Sequence, residues 1–127
     1  MNNNIEDLYC RLYINSNQDE DALRFKISEI FGGRVLSRKI RDEYLDIYFC
    51  KNTSFDENLF NASIEGCVYS RYTAEVSPLH EVVDGFDTVD EDIYISILCH
   101  IIKSLKDMGC DVIAACEYED LILDRIS

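Results

Sequence analysis

Apolar and polar residues alternate along 8-LYCRLYI-14, with Leu8, Cys10, Leu12 and Ile14 on one side and Tyr9, Arg11 and Tyr13 on the other. A period of two predicts a half-buried strand. The pattern then changes. Ser16 and Asn17 are cap candidates, acids crowd the turn that follows, and Leu23, Ile27, Ile30 and Phe31 recur at helical spacing until Gly32-Gly33. Two further β segments, 35-VLSRKI-40 and 43-EYLDIYFC-50, predict a hairpin turning at Arg41-Asp42. The polar stretch 52–66 reads as a loop with one short helical turn around Glu57 to Phe60. A strand is predicted over 67–76, ahead of the single proline, Pro78. Thr88 and Glu91 form a T-x-x-E capping box for a second helix. Tyr94, Ile97, Leu98, Ile101, Leu105 and Met108 line one stripe of it, and Gly109 closes it. The last strand, 112-VIAAC-116, is apolar throughout and predicts a central position in the sheet.

The resulting order, β-α-β-β-β-α-β, predicts an α+β ferredoxin-like sandwich spanning 1–127 as a single domain. One mostly antiparallel sheet would carry two helices on one face. In that arrangement strands 67–76 and 112–116 are joined by a helical crossover and run parallel. Residues leaving both strands therefore emerge at one end of the domain. The first exit carries Glu81, Asp84, Asp87, Asp90, Glu91 and Asp92, and the second carries Glu117, Tyr118, Glu119 and Asp120. Asp90, Glu91 and Asp92 have a simpler explanation as well, since a helix dipole favours carboxylates in its first turn.

Charge adds weight to that convergence. The chain holds 25 acids against 12 bases, a net of -13, and residues 65–127 alone carry 14 acids against 4 bases. Binding to a phosphate backbone requires the opposite sign, so no nucleic-acid partner is expected. A cationic protein partner fits, because complementary fields speed encounter and suppress wrong partners.

A second candidate interface lies on the outer sheet face. Tyr9, Arg11 and Tyr13 would point away from the helices, with Tyr44 and Tyr48, and with Tyr69 and Arg71 from the next strand. Tyrosine and arginine offer large contact area with a polar tip, so this face could also support a homo-oligomer. Tyrosine is equally at home on any half-exposed strand.

Other chemistry leaves little trace. No apolar run approaches the roughly 20 residues of a membrane span. The start, MNNNIEDLYC, lacks the features of a signal peptide, so a cytoplasmic location and no membrane partner are expected. The six cysteines, at 10, 50, 67, 99, 110 and 116, include no C-x-x-C pair and read as reduced core thiols. The segment 84-DGFDTVD-90 lacks the ligand spacing of a calcium loop, and no metal or cofactor is expected. Gly-rich phosphate loops, H-E-x-x-H and G-x-S-x-G are all missing, and His80 and His100 have no nucleophile at local spacing, so no catalytic residue is assigned.

Three segments carry a resemblance. They are 45-LDIYFCKNTSFD-56, 68-VYSRYTAEVSP-78 and 90-DEDIYISILCHIIKSLKDMGCDVIAACEYEDL-121. Together they resemble a family of small bacterial proteins with a D-V/I-x-x-x-x-N-x-x-F-D segment, a Y-x-x-E-V-x-P strand and a closing V-V-A-A-C-x-F/Y-E-D-x-L. The match covers about residues 44–123 and is most specific at the closing motif. Tyr118 stands where the family more often has phenylalanine, and the loop at 79–88 is longer. The resemblance implies an immunity protein that neutralises a cognate toxin domain of a contact-dependent growth inhibition or polymorphic toxin system. The alternative is a small acidic adaptor that forms homo-oligomers through its tyrosine-rich sheet.

Overall fold

The computed structural model describes residues 8–62, 66–79, 81–83, 86–88 and 90–126, with side chains of 81–83 and 86–88 excepted. Strand β1 (Cys10–Asn15) leads to helix α1 (Glu20–Phe31), then to strands β2 (Arg34–Leu36), β3 (Lys39–Arg41) and β4 (Leu45–Lys51). Helix α2 (Glu57–Ala62) and a 3-10 turn (Gly66–Tyr69) precede β5 (Tyr72–Pro78). The short strands β6 (Glu81–Val83) and β7 (Phe86–Thr88) pair only with each other. Helix α3 (Glu91–Asp107), strand β8 (Asp111–Ala115) and helix α4 (Glu119–Ile126) complete the chain.

Six strands form one sheet in the order β2-β3-β4-β5-β1-β8, and every neighbouring pair is antiparallel. The fold is therefore α+β, as the alternation predicted. β5 and β8 each pair with β1 in opposite sense to it, so they run parallel to one another with β1 between them. β8 is consequently an edge strand rather than a central one. Its alternation agrees, since Val112 is buried while Asp111, Ile113 and Ala115 are exposed.

The core lies on one face. Cys10, Leu12 and Ile14 of β1, Leu45, Ile47 and Phe49 of β4, and Tyr72, Ala74 and Val76 of β5 form one buried cluster with Leu23 and Ile27 of α1. Tyr94, Leu98, Ile101, Ile102 and Leu105 of α3 and Ile122 of α4 complete it. Among the described residues the opposite face of the sheet is open, with Arg11, Tyr48, Glu75 and Ile113 exposed.

Several predicted boundaries move, each for a local reason. The N-cap of α1 is Asp19, whose carboxylate accepts from the Ala22 N–H at 2.8 Å, while Ser16 Oγ caps a turn by accepting from Gln18 N–H. Gly32 ends this helix in the left-handed region, at φ 76°. The region read as two strands holds three, because Ser37 (φ 59°) and Arg38 make an extra two-residue turn between Leu36 and its partner Lys39. Residues 67–71 are not strand. The Asn52 amide donates to the Val68 and Ser70 carbonyls at 2.9 and 2.8 Å, and Asn15 Oδ1 accepts from the Arg71 N–H. Side chains thus occupy the backbone groups that a strand partner would need. Thr88 lies in β7, so it is Asp90 that caps α3, accepting from Ile93 N–H at 3.2 Å. Met108, predicted on the buried stripe of α3, is instead its exposed C-cap. Helix α4 was not foreseen; its eight residues contain a single fully buried position.

Candidate functional site: an acidic end and an open sheet face

The topology gathers distant residues at one end of the sheet. Cys10 pairs with Val76 on one side, and Arg11 with Ala115 on the other. The C-terminal ends of β5 and β8 therefore flank the start of β1 at one level. Two tyrosines pin the elements that leave this end. The Tyr94 hydroxyl, fully buried on α3, donates to the Leu8 carbonyl at 2.7 Å. The Tyr118 hydroxyl donates to the same carbonyl at 2.6 Å and sits 3.5 Å from the Tyr94 hydroxyl. One carbonyl oxygen has two lone pairs and accepts both donors. Burial pushes both phenols above their ordinary range, since a phenolate there would lose its hydration. Tyr118 is therefore a half-buried anchor, with its polar tip turned inward.

Four of the predicted acidic residues, Asp90, Glu117, Glu119 and Asp120, lie next in sequence to the elements this anchor joins. Asp90, the α3 cap, lies one turn before Tyr94. Glu117 is exposed beside Tyr118, and Glu119 and Asp120 stand in the first turn of α4. The two helix N-termini thus open at the same end, and the dipole argument already made for Glu91 and Asp92 extends to Glu119 and Asp120. Each helix end supplies the equivalent of about half a positive charge. Six carboxylates exceed that, and the sequence holds no Lys or Arg between Arg71 and Lys103 or between Lys106 and Arg125. Among the described residues, no ion pair reaches Glu117, Glu119 or Asp120. Asp84 and His80 lie outside the described residues. Asp87 belongs to β7, pairing with Val82, in the hairpin between Pro78 and Asp90.

The open face has a different character. Arg11 and Glu75 are register partners joined at 2.6 Å, and Asp46 lies 3.3 Å from Arg41 and 3.7 Å from Lys39. The Tyr13 hydroxyl and then the Glu75 carboxylate hold the Arg11 guanidinium above its ordinary range. A shallow depression of about 600 Å³ is lined by Tyr9, Arg11, Lys39, Asp46, Tyr48 and Glu75. Arg11, Arg34, Lys39 and Arg41 more than offset Asp46, Glu75 and Asp111 on this face. The surplus negative charge is therefore elsewhere. Tyr69 and Arg71 do not join the set: Tyr69 sits in the 3-10 turn and Arg71 ahead of β5, at the other end of the sheet, where Arg71 approaches the Phe55 and Tyr72 rings at 5.9 Å.

Comparison with protein-family models, curated proteins and solved structures finds no match to this chain.

Sequence reasoning missed Arg24. It is 5% exposed, bonded to Glu20 and Asp21 at 2.7 Å each and to the Phe49 carbonyl at 3.0 Å, with its guanidinium 5.4 Å from the Phe49 ring centre. Its signal was available, because position 24 shares a helical face with Ile27 and Phe31. His100, by contrast, is exposed on α3. Among the described residues no cluster of His, Cys, Asp and Glu could hold a metal ion, and no helix is long and apolar enough to cross a membrane.

Proposed function

We propose that this chain is a non-catalytic, cytoplasmic immunity protein that binds and neutralises a cognate basic toxin domain, with the ferredoxin-like sandwich that its element order predicts. The strand order β8-β1-β5-β4 supports that finer fold reading, with the β2–β3 hairpin as an extension at one edge. The observation that carries the functional reading is the convergence of acidic segments on one end of the sheet. Tyr94 and Tyr118, whose hydroxyls meet at the Leu8 carbonyl, hold the helix starts that carry Asp90 and Glu117, 27 positions apart, at that end. A toxin that handles nucleic acid would be basic, and a surface on which, among the described residues, no ion pair reaches Glu117, Glu119 or Asp120 competes for the same groups. Co-expression tests this. Cells producing a basic toxin domain encoded beside this gene should grow when this chain is present, and the two should co-purify at low salt. Unrelieved growth arrest, with no complex, would contradict the proposal.

The uncovered face favours a second reading, an acidic adaptor that associates with its own copies. Sedimentation at increasing concentration tests it: the reading requires a dimer that Tyr9→Ala with Tyr48→Ala abolishes. A chain monomeric at all concentrations excludes it.

A further inference from the structure

The register that assembles the acidic end also brings two thiols together. β1 and β8 pair Leu12 with Ala114 and Arg11 with Ala115; continued by one residue past the end of β8, that register sets Cys116 against Cys10, and both belong to the same core cluster. Opposite residues of an antiparallel pair point to the same face, here the core face, where Cys10 is buried and Cys116 half-buried. Cross-strand neighbours have Cα atoms about 4.5 or 5.5 Å apart, and a disulfide accepts about 4.4 to 6.8 Å. Both cysteines are free thiols. The Cys10 thiol points toward the Arg11 carbonyl at 3.9 Å. The neighbouring Cys10 draws Cys116 below the ordinary thiol range, helped by the Tyr118 N–H and opposed by burial. Cys10 moves the other way, held protonated by its closeness to Cys116 and by burial. The two thiols are therefore unequal. Cys116 is half-buried and the more readily ionised, and Cys10 is buried.

We propose that Cys10 and Cys116 form a dithiol site that reacts with small-molecule disulfides and closes to a cross-strand disulfide. The Cys116 thiolate attacks one sulfur of the oxidant, whose S–S bond breaks and releases one half as a thiolate. Cys10 loses its proton to solvent and attacks the Cys116 sulfur of the mixed disulfide. The Cys10–Cys116 bond forms as the second half leaves, and both electrons end on the oxidant as two thiols. The product ties edge strand β8 to β1 immediately before Glu117 and Tyr118. This inference stands independently of the immunity reading, because its test needs no partner.

The native full-length protein is incubated with oxidised glutathione, quenched with acid, digested and mapped by mass spectrometry. The expected product is a Cys10–Cys116 cross-linked peptide about 2 Da lighter than its two thiol forms. Cys10→Ser should instead trap glutathione on Cys116, and Cys116→Ser should leave Cys10 unmodified. Amide exchange over Val112–Ala115 should slow in the oxidised protein. Linkage of Cys116 to Cys99, glutathione retained on wild-type Cys116, or six unreacted thiols would each overturn the proposal. Should Cys10→Ser fail to fold, the wild-type peptide map still decides between these outcomes.

Discussion

Tyr94 and Tyr118 share a single acceptor, so their contributions should not add. Each hydroxyl removed by a Tyr→Phe change should cost about 1 kcal/mol in urea unfolding. The double variant should exceed the sum, because the Leu8 carbonyl then loses both donors. The same pair predicts a pH dependence. Both phenols are raised in the folded state from an ordinary value of 10.0, so the unfolded chain releases these protons first. Their contribution is intact below about pH 10 and declines as pH rises above it, and the double Phe variant should flatten that decline in alkaline titration of stability. Arg24 is the other residue-scale test. Arg24→Ala leaves the Phe49 carbonyl without that donor and removes the partner of Glu20 and Asp21, so a loss of about 2 kcal/mol is expected by denaturation. A loss within about 0.5 kcal/mol would mean that water substitutes for the guanidinium. The tyrosine role was not legible in advance, and the helical-face signal of Arg24 was ambiguous. A tyrosine hydroxyl finds its carbonyl only once β1, α3 and the turn before α4 have met, and an arginine beside two acids reads equally well as a surface ion pair.

Elements were legible where a repeated physical signal marked them. Period-two alternation located β1 and β4, and the apolar stripe of α3 placed its long body correctly. Ends were harder, because several nearby side chains can cap one helix. Thr88 with Glu91 has the capping-box spacing, yet the chain uses Asp90. Asp90→Ala should therefore destabilise by about 1 kcal/mol in thermal or urea unfolding, and by more than Thr88→Ala. The reverse ranking would place the start of α3 two residues earlier. Helix α4 escaped notice because eight residues give barely two turns of periodicity, and Leu121 and Leu123 remain exposed. The 67–71 segment looked like strand because Val68 and Tyr69 favour strands, whereas the asparagines that hold it are 16 and more positions away.

At the scale of the whole molecule, parallel β5 and β8 were predicted from element order alone, and the sheet has them. Element order sufficed because a helical crossover constrains strand direction whatever the side chains do. The placement of Tyr69 and Arg71 failed for the complementary reason, since a face assignment inherits every error in strand boundaries. The immunity account depends on the acidic end being the surface that meets a cationic toxin, and association kinetics test that most directly. Reversing Asp84, Asp87, Glu117 and Glu119 to lysine moves the net charge from -13 to -5. Folding should change little, about 0.5 kcal/mol or less per site, which circular dichroism and urea unfolding would verify. Stopped-flow binding to the neighbouring toxin domain, from low to high salt, should show a slower association rate and a flatter salt dependence than the native chain, because screening removes only long-range attraction. A variant that associates as fast as the native chain at low salt, while Tyr9→Ala with Tyr13→Ala fails to bind, would move the interface to the open sheet face and contradict the account.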